Sequence, residues 1–206
     1  DWSSDVCSSD LYAGKCIGIC GNIILEHRVP DHLYIGNQFC HLLFPERKLL
    51  FEIIEKAAAE QVEITLVFSY IREYMLDYIT ELLDEINRWC EEKRQSVEIV
   101  VNDWGMASLV KKSRRNLIPS LGILLNKRRK DPRIPFKKGE QKWFERNSLN
   151  AGFYRDFLER EYGIQRFEWE SCGYEQQIPP GKNSLHIPFY QTNTSQYCPL
   201  GAVCET

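Results

Sequence analysis

VEITLVFSYIREYMLDYITELLDEINRWCEEKRQSVEIVVND, residues 62–103, decides the fold. VEITLVFS (62–69) is almost continuously apolar, as a strand covered on both faces is. EYMLDYITELLDEINRWCEEKR (73–94) is the clearest helix: Met75, Ile79, Leu82, Leu83, Ile86 and Cys90 recur at helical spacing and line one face. VEIVVND (97–103) is a second covered strand. A strand, a helix and a strand in this order form a parallel pair with a crossover helix.

The same alternation extends outward. HLYIGN (32–37) is a short strand ending near a glycine, and Pro45 opens a helix with Leu49, Ile53, Ile54 and Ala57 on one face. Beyond Asp103 come the helical MASLVKK, a strand LGILL (121–125), a long basic loop, the helix AGFYRDFLEREYG (151–163), and strands IQRFEWE (164–170) and SLHIPFYQT (184–192). The fold class is α/β. Six strand candidates predict a parallel, TIM-like (β/α) barrel that is incomplete, with an open doubly wound sheet as the alternative. No glycine-rich phosphate loop follows the first strand, which argues against dinucleotide binding.

The first eleven residues, DWSSDVCSSDL, fit nothing that follows. They lack strand or helix periodicity and the basic start and apolar run of a signal peptide. A common sequencing-library adapter translates to this string, so residues 1–11 are read as an artefact and residues 12–206 as one barrel-type domain, truncated at both ends. Of the 26 bases and 29 acids, Asp1, Asp5 and Asp10 fall in that stretch, so the remainder balances at 26 against 26. Global charge then favours no partner; only local patches speak. No apolar run approaches the roughly 18–20 residues that span a bilayer, and the expected location is cytoplasmic. Of eight cysteines, Cys7 lies in the excluded stretch. The odd remainder makes a poor disulfide framework, and such cysteines serve as metal ligands, catalytic groups or core.

In a barrel, chemistry sits where strands end. That rule selects Gly36 to Cys40, Ser69–Tyr70, Asn102–Asp103–Trp104, Asn126 to Arg133, Glu168 to Cys172, and Gln191 to Cys198. Asn102 and Asp103 are candidates for substrate hydrogen bonding and acid/base work, although Asp103 also suits a helix cap. Asn126, Arg128, Arg129, Arg133 and Glu168 are the candidate substrate-binding residues. Glu168 and Glu170 share a face, with Arg166 as their expected structural partner. His186, placed near the start of its strand, is expected to be a satisfied core histidine. The stretch 126–146 carries nine bases against three acids. It is read either as a phosphate-binding surface, with Trp143 and Phe144 for stacking, or as a solvated loop in which Arg128, Arg129 and Arg133 fold onto Asp131.

LYIGNQFC (33–40), EIVVNDWG (98–105) and LHIPFYQTNTSQYC (185–198), in this order and spacing, resemble the collagenase-like peptidase family (U-thirty-two), above all its ubiquinone-biosynthesis and RNA-hydroxylation members. LGILLNKRRKDPR (121–133) and FLEREYGIQRFEWE (157–170) fit between and around them. The resemblance implies a barrel-like fold and a four-iron four-sulfur cluster serving oxygen-independent hydroxylation of an RNA base or quinone-like ring. It implies Cys40 and Cys198 as cluster ligands, with Cys204 as the single downstream candidate where the family has a close pair. It also brings in a partner protein of the same family. Thiolates suit iron–sulfur clusters or zinc, whereas Cys90, on an apolar helix face, is expected to be plain core. The rival readings are a peptidase, for which no nucleophile elbow or H-E-x-x-H is present, and a non-catalytic nucleic-acid- or zinc-binding module.

Overall fold

The computed structural model describes residues 32–186, apart from 112–113, 130, 132 and 173. Six strands alternate with helices: β1 (His32–Gly36), α1 (Arg47–Ala59), β2 (Glu63–Val67), α2 (Leu76–Lys93), β3 (Val97–Val101), α3 (Trp104–Lys111), β4 (Leu117–Leu121), α4 (Gln141–Glu145), α5 (Gly152–Tyr162), β5 (Arg166–Glu170) and β6 (Lys182–His186). All neighbouring strands are parallel, and their order in space is their order in sequence. A doubly wound sheet reverses direction midway. This one does not, so that alternative falls.

The sheet is curled. Laid flat, β1 and β6 would stand roughly 24 Å apart, at about 4.8 Å per strand. Instead the Tyr34 hydroxyl of β1 lies 3.1 Å from Ser184 Oγ of β6. The result is a half-barrel. One strand face packs under the helices: Leu33, Ile35, Leu66, Ile99, Val101, Leu121, Phe167 and Trp169 join Leu50, Ile54, Leu82, Leu83, Ile86 and Leu158 in one core. Cys90 is fully buried in that core, as expected, and burial pushes its thiol up to about 11. Gly36 ends β1 at φ +109°, where a Cβ would meet the Val67 carbonyl at 2.3 Å, so the turn out of β1 requires glycine.

Three boundaries differ from expectation. The fourth strand is LIPSL (117–121), and LGILL contributes only Leu121 to it. Pro119 argues against a central strand, but β5 joins β4 only at Ser120 and Leu121, so Pro119 precedes that half of the ladder. The 126–146 segment is not one loop; it holds a 3₁₀ turn, Ile134–Phe136, and α4. β6 runs Lys182–His186, which puts His186 at the strand's end, not its start. The rest of the expected sixth strand, 187–192, lies outside the described residues, as do residues 1–11, Cys198 and Cys204. No helix among the described residues is long and apolar enough to cross a membrane.

The two sheet faces differ in what they support. Ile99→Ala, on the helix-covered face, should lose about 2–5 kcal/mol, while Ile118→Ser, on the inner face and 47% exposed, should change stability by about 0.5 kcal/mol or less. Urea unfolding of both variants checks the assignment of faces.

Candidate functional site

The concave face of a closed barrel is normally packed with branched apolar side chains. Here it is polar. By register, Tyr34, Thr65, Glu98, Ser120, Arg166, Glu168, Ser184 and His186 all point inward. Arg166 is the hub: its Nε donates to Ser184 Oγ at 3.0 Å, its Nη2 donates to the Tyr34 hydroxyl at 3.1 Å, and Nε lies 3.4 Å from Glu98 Oε1. Thr65 Oγ1 donates to Glu98 Oε2 at 3.0 Å. Burial raises the Glu98 carboxyl, against the pull of Arg166. Burial, with Glu168 beside it, pushes the Tyr34 phenol up to about 12.

At the C-terminal ends of the strands the network reaches a mouth. Glu168 has no solvent exposure. Its Oε1 lies 3.2 Å from the Tyr34 hydroxyl, and its Oε2 makes a short contact with His186 Nε2. Gln38, from the loop after β1, crosses the mouth: its Oε1 accepts the Ile123 N–H at 3.2 Å, which turns its Nε2 toward His186 Nε2 at 3.3 Å. The His186 side chain is 36% exposed, and its Nδ1 has no partner among the described residues. A proton shared between Glu168 and Nε2 leaves Nδ1 as the atom that meets a substrate. With Nε2 protonated, Nδ1 is a base; with the proton on Glu168, Nδ1–H is an acid.

The expected site residues divide around this pair. Glu168 stands at its centre. Its partners are His186 and Tyr34, with Arg166 no nearer than 3.9 Å, so the expected Arg166 pairing is minor. His186 is a mouth residue and not a core histidine. Asn126 is buried beside it; its Nδ2 donates to the Glu168 carbonyl at 2.9 Å, and its buried Oδ1 has no hydrogen-bond partner. Arg128 turns inward: Nη2 lies 3.0 Å from Glu170 Oε1, with side chains 4% and 3% exposed, and Nη1 donates to Gln176. It anchors the segment instead of facing solvent.

Asn102 is a buried brace, donating to the Phe68 carbonyl and accepting the Leu124 N–H. It sits so close to Gly122 that a Cβ there would meet its Oδ1 at 2.1 Å. Asp103 caps α3: Oδ1 accepts the Met106 N–H and Oδ2 accepts the Ile71 N–H, both at 2.8 Å. Arg133 folds onto Asp131, joined by Lys137; these cations hold the Asp131 carboxyl well below the usual carboxylate range. Arg129 bonds the Trp143 carbonyl and lies over the Phe144 ring at 5.6 Å.

Cys40 is half-buried at the rim of a cleft of about 220 Å³ that Phe44 and Phe68 also line. Cys172 Sγ lies 3.1 Å from the Tyr174 carbonyl. Among the described residues, no three His, Cys, Asp or Glu gather as a metal site. Sequence reasoning missed Tyr34 and Ser184, and it reached Gln38 only as part of the strand-end stretch Gly36 to Cys40. A signal was present in RFEWE, whose polar residues alternate, and in the polar run that opens KNSLH; either alone reads as a solvated face, and only the curl makes it an interior. Compared with protein-family models, curated proteins and solved structures, the chain matches none.

Two outcomes test this geometry. Arg128→Ala removes the buried ion partner of Glu170 and should cost about 3–5 kcal/mol in urea unfolding, while Arg128→Met with Glu170→Leu should recover most of it. Tyr34 ionises near 10.0 when unfolded and at about 12 when folded. Its stabilisation is therefore intact below pH 10 and lost as pH rises from 10 to 12. Tyr34→Phe should flatten the stability–pH curve in that window.

Proposed function

We propose that this chain forms most of an eight-stranded, TIM-type barrel enzyme whose substrate lies over the C-terminal ends of the strands, with Glu168 and His186 moving a proton there. One observation carries the reading: a fully buried carboxylate holds a half-exposed imidazole at the end of the barrel where such folds place their chemistry. Gln38 abuts the ring at Nε2, Tyr34 meets it edge to face, and the Asn126 Oδ1, without a hydrogen-bond partner, stands ready for a substrate N–H or O–H. Glu168 takes the proton from Nε2 as Nδ1 accepts one from the substrate, and returns it as Nδ1 gives one back, so the pair needs no solvent exchange within a turnover.

In line with the resemblance, the substrate is an RNA base or a quinone-like ring, the reaction is an oxygen-independent hydroxylation, the setting is cytoplasmic, and a second protein of the same family assists. Support for RNA comes from the 126–146 segment. Phe136 and Trp143 are exposed, Arg146 stacks over the Trp143 ring at 5.2 Å, and Lys127 and Lys138 are exposed. A four-iron four-sulfur cluster would carry away, one at a time, the two electrons that replacing C–H by C–OH without oxygen takes from the ring. Cys40 is the one described thiol of its expected ligands Cys40, Cys198 and Cys204, and the described residues do not make up a cluster site. The proton chemistry of the mouth stands without it. The peptidase alternative draws less support, because the partners of His186 among the described residues are Gln38 and Glu168, neither a nucleophile.

Two measurements on the full chain, purified without oxygen, test the reading. Iron and sulfide should be present in equal amounts, fall in Cys40→Ala and Cys198→Ala, and persist in His186→Ala. The chain has four histidines, so each side chain can be followed by nitrogen NMR. A short single-stranded RNA or a soluble benzoquinone should shift the His186 signals, and a collagen-like peptide should not. A metal-free protein removes the cluster; His186 signals indifferent to all three probes remove the mouth as the substrate site.

A further inference from the structure

The barrel axis has a second opening, at the N-terminal ends of the strands. A cleft of about 410 Å³ lies there, lined by His32, Glu63, Glu98, Ile118, Arg166 and Lys182 among others. That end of a barrel ordinarily serves packing, and packing would fill it with apolar side chains. This cleft is instead sorted by charge. Glu63 and Glu98 come from β2 and β3; Arg166 and Lys182 come from β5 and β6, which curl round to face them. The side chain of Ile118, 47% exposed, forms an apolar floor on β4 between the two walls. At the inner end Arg166 and Glu98 pair with each other, Nε to Oε1 at 3.4 Å. At the outer end Lys182 is exposed with no ion partner among the described residues, and Glu63 holds only His32, Nε2 to Oε2 at 3.0 Å. With Nε2 committed to Glu63, His32 Nδ1 is a buried acceptor without a hydrogen bond.

We infer that this cleft binds a small zwitterion, an α-amino acid in free form, with its carboxylate on Lys182, its ammonium on Glu63 and His32 Nδ1, and its side chain over Ile118. A cavity of this size suits such a molecule, and opposite charges on opposite walls suit a ligand with both. An anion alone would face Glu63 and Glu98, and a cation alone would face Arg166 and Lys182. The inference stands apart from the chemistry assigned to the mouth, since no group of the Glu168–His186 pair lines this cleft.

Three probes on one carbon skeleton test it by calorimetry on the full chain: L-leucine, 4-methylpentanoate and 3-methylbutylamine. Leucine should bind, and each single-charge analogue should bind about tenfold more weakly or worse, the loss expected for one charged hydrogen bond. Lys182→Ala and Glu63→Gln change exposed side chains, so both variants should fold, and each should weaken leucine about tenfold. His186→Ala should leave leucine binding unchanged. No binding of leucine at about ten millimolar, analogues that bind as well as leucine, or affinity indifferent to both cleft variants would each overturn the inference.

Discussion

The half-barrel is held from inside by one guanidinium. Arg166 reaches β1 through Tyr34, β3 through Glu98 and β6 through Ser184, so one side chain spans strands that the ladder alone separates widely. Strand pairing sets the order of the sheet, but it does not fix how tightly the sheet curls. The curl is set where Tyr34, Ser184 and Arg166 meet, because these polar groups find partners only if β1 approaches β5 and β6. Left unpaired in a buried space, each would cost about 1–3 kcal/mol. The polar interior is therefore a determinant of the fold's shape as well as the foundation of the site above it.

That foundation also sets the geometry of the mouth. Glu168 is anchored at both oxygens, by Tyr34 below and His186 above. Gln38 and Asn126 then tie the loops after β1 and β4 to the same carboxyl-bearing strand end. Arg128 and Glu170 do likewise for the segment after Asn126. An imidazole held this way loses little freedom when a substrate arrives, which is the condition for efficient proton transfer.

Much of the architecture was legible because apolar periodicity reports burial under helices. The helix-covered strand faces and α2 followed directly from their patterns, with Ile79, Leu82, Leu83, Ile86 and Cys90 buried as their spacing implied. The fourth strand was misplaced because Pro119 carries a strong local bias that a half-paired strand tolerates. The site was less legible. Asp103 and Asn102 occupy strand ends, yet capping and bracing satisfy them completely. Arg128 belongs to a basic run, yet one acidic residue on β5, distant in sequence, draws it inward. Nothing local to His186 or Gln38 marked them as partners; their meaning lies in a contact across nearly the whole described chain, Gln38 to His186.

Charge balance links the two ends of the interior. Between mouth and opposite cleft lie two carboxylates, Glu98 and Glu168, and one guanidinium that reaches both, at 3.4 and 3.9 Å. One negative charge is left over in a region where unpaired charge is expensive. Burial already shows its effect at Glu98, whose carboxyl is raised toward holding a proton. The excess is relieved by a proton, resident on Glu98 or on the Glu168–His186 pair. Arg166, in reach of both carboxylates, keeps that balance within the interior, so a zwitterion between Glu63 and Lys182, which brings no net charge, leaves it unaltered.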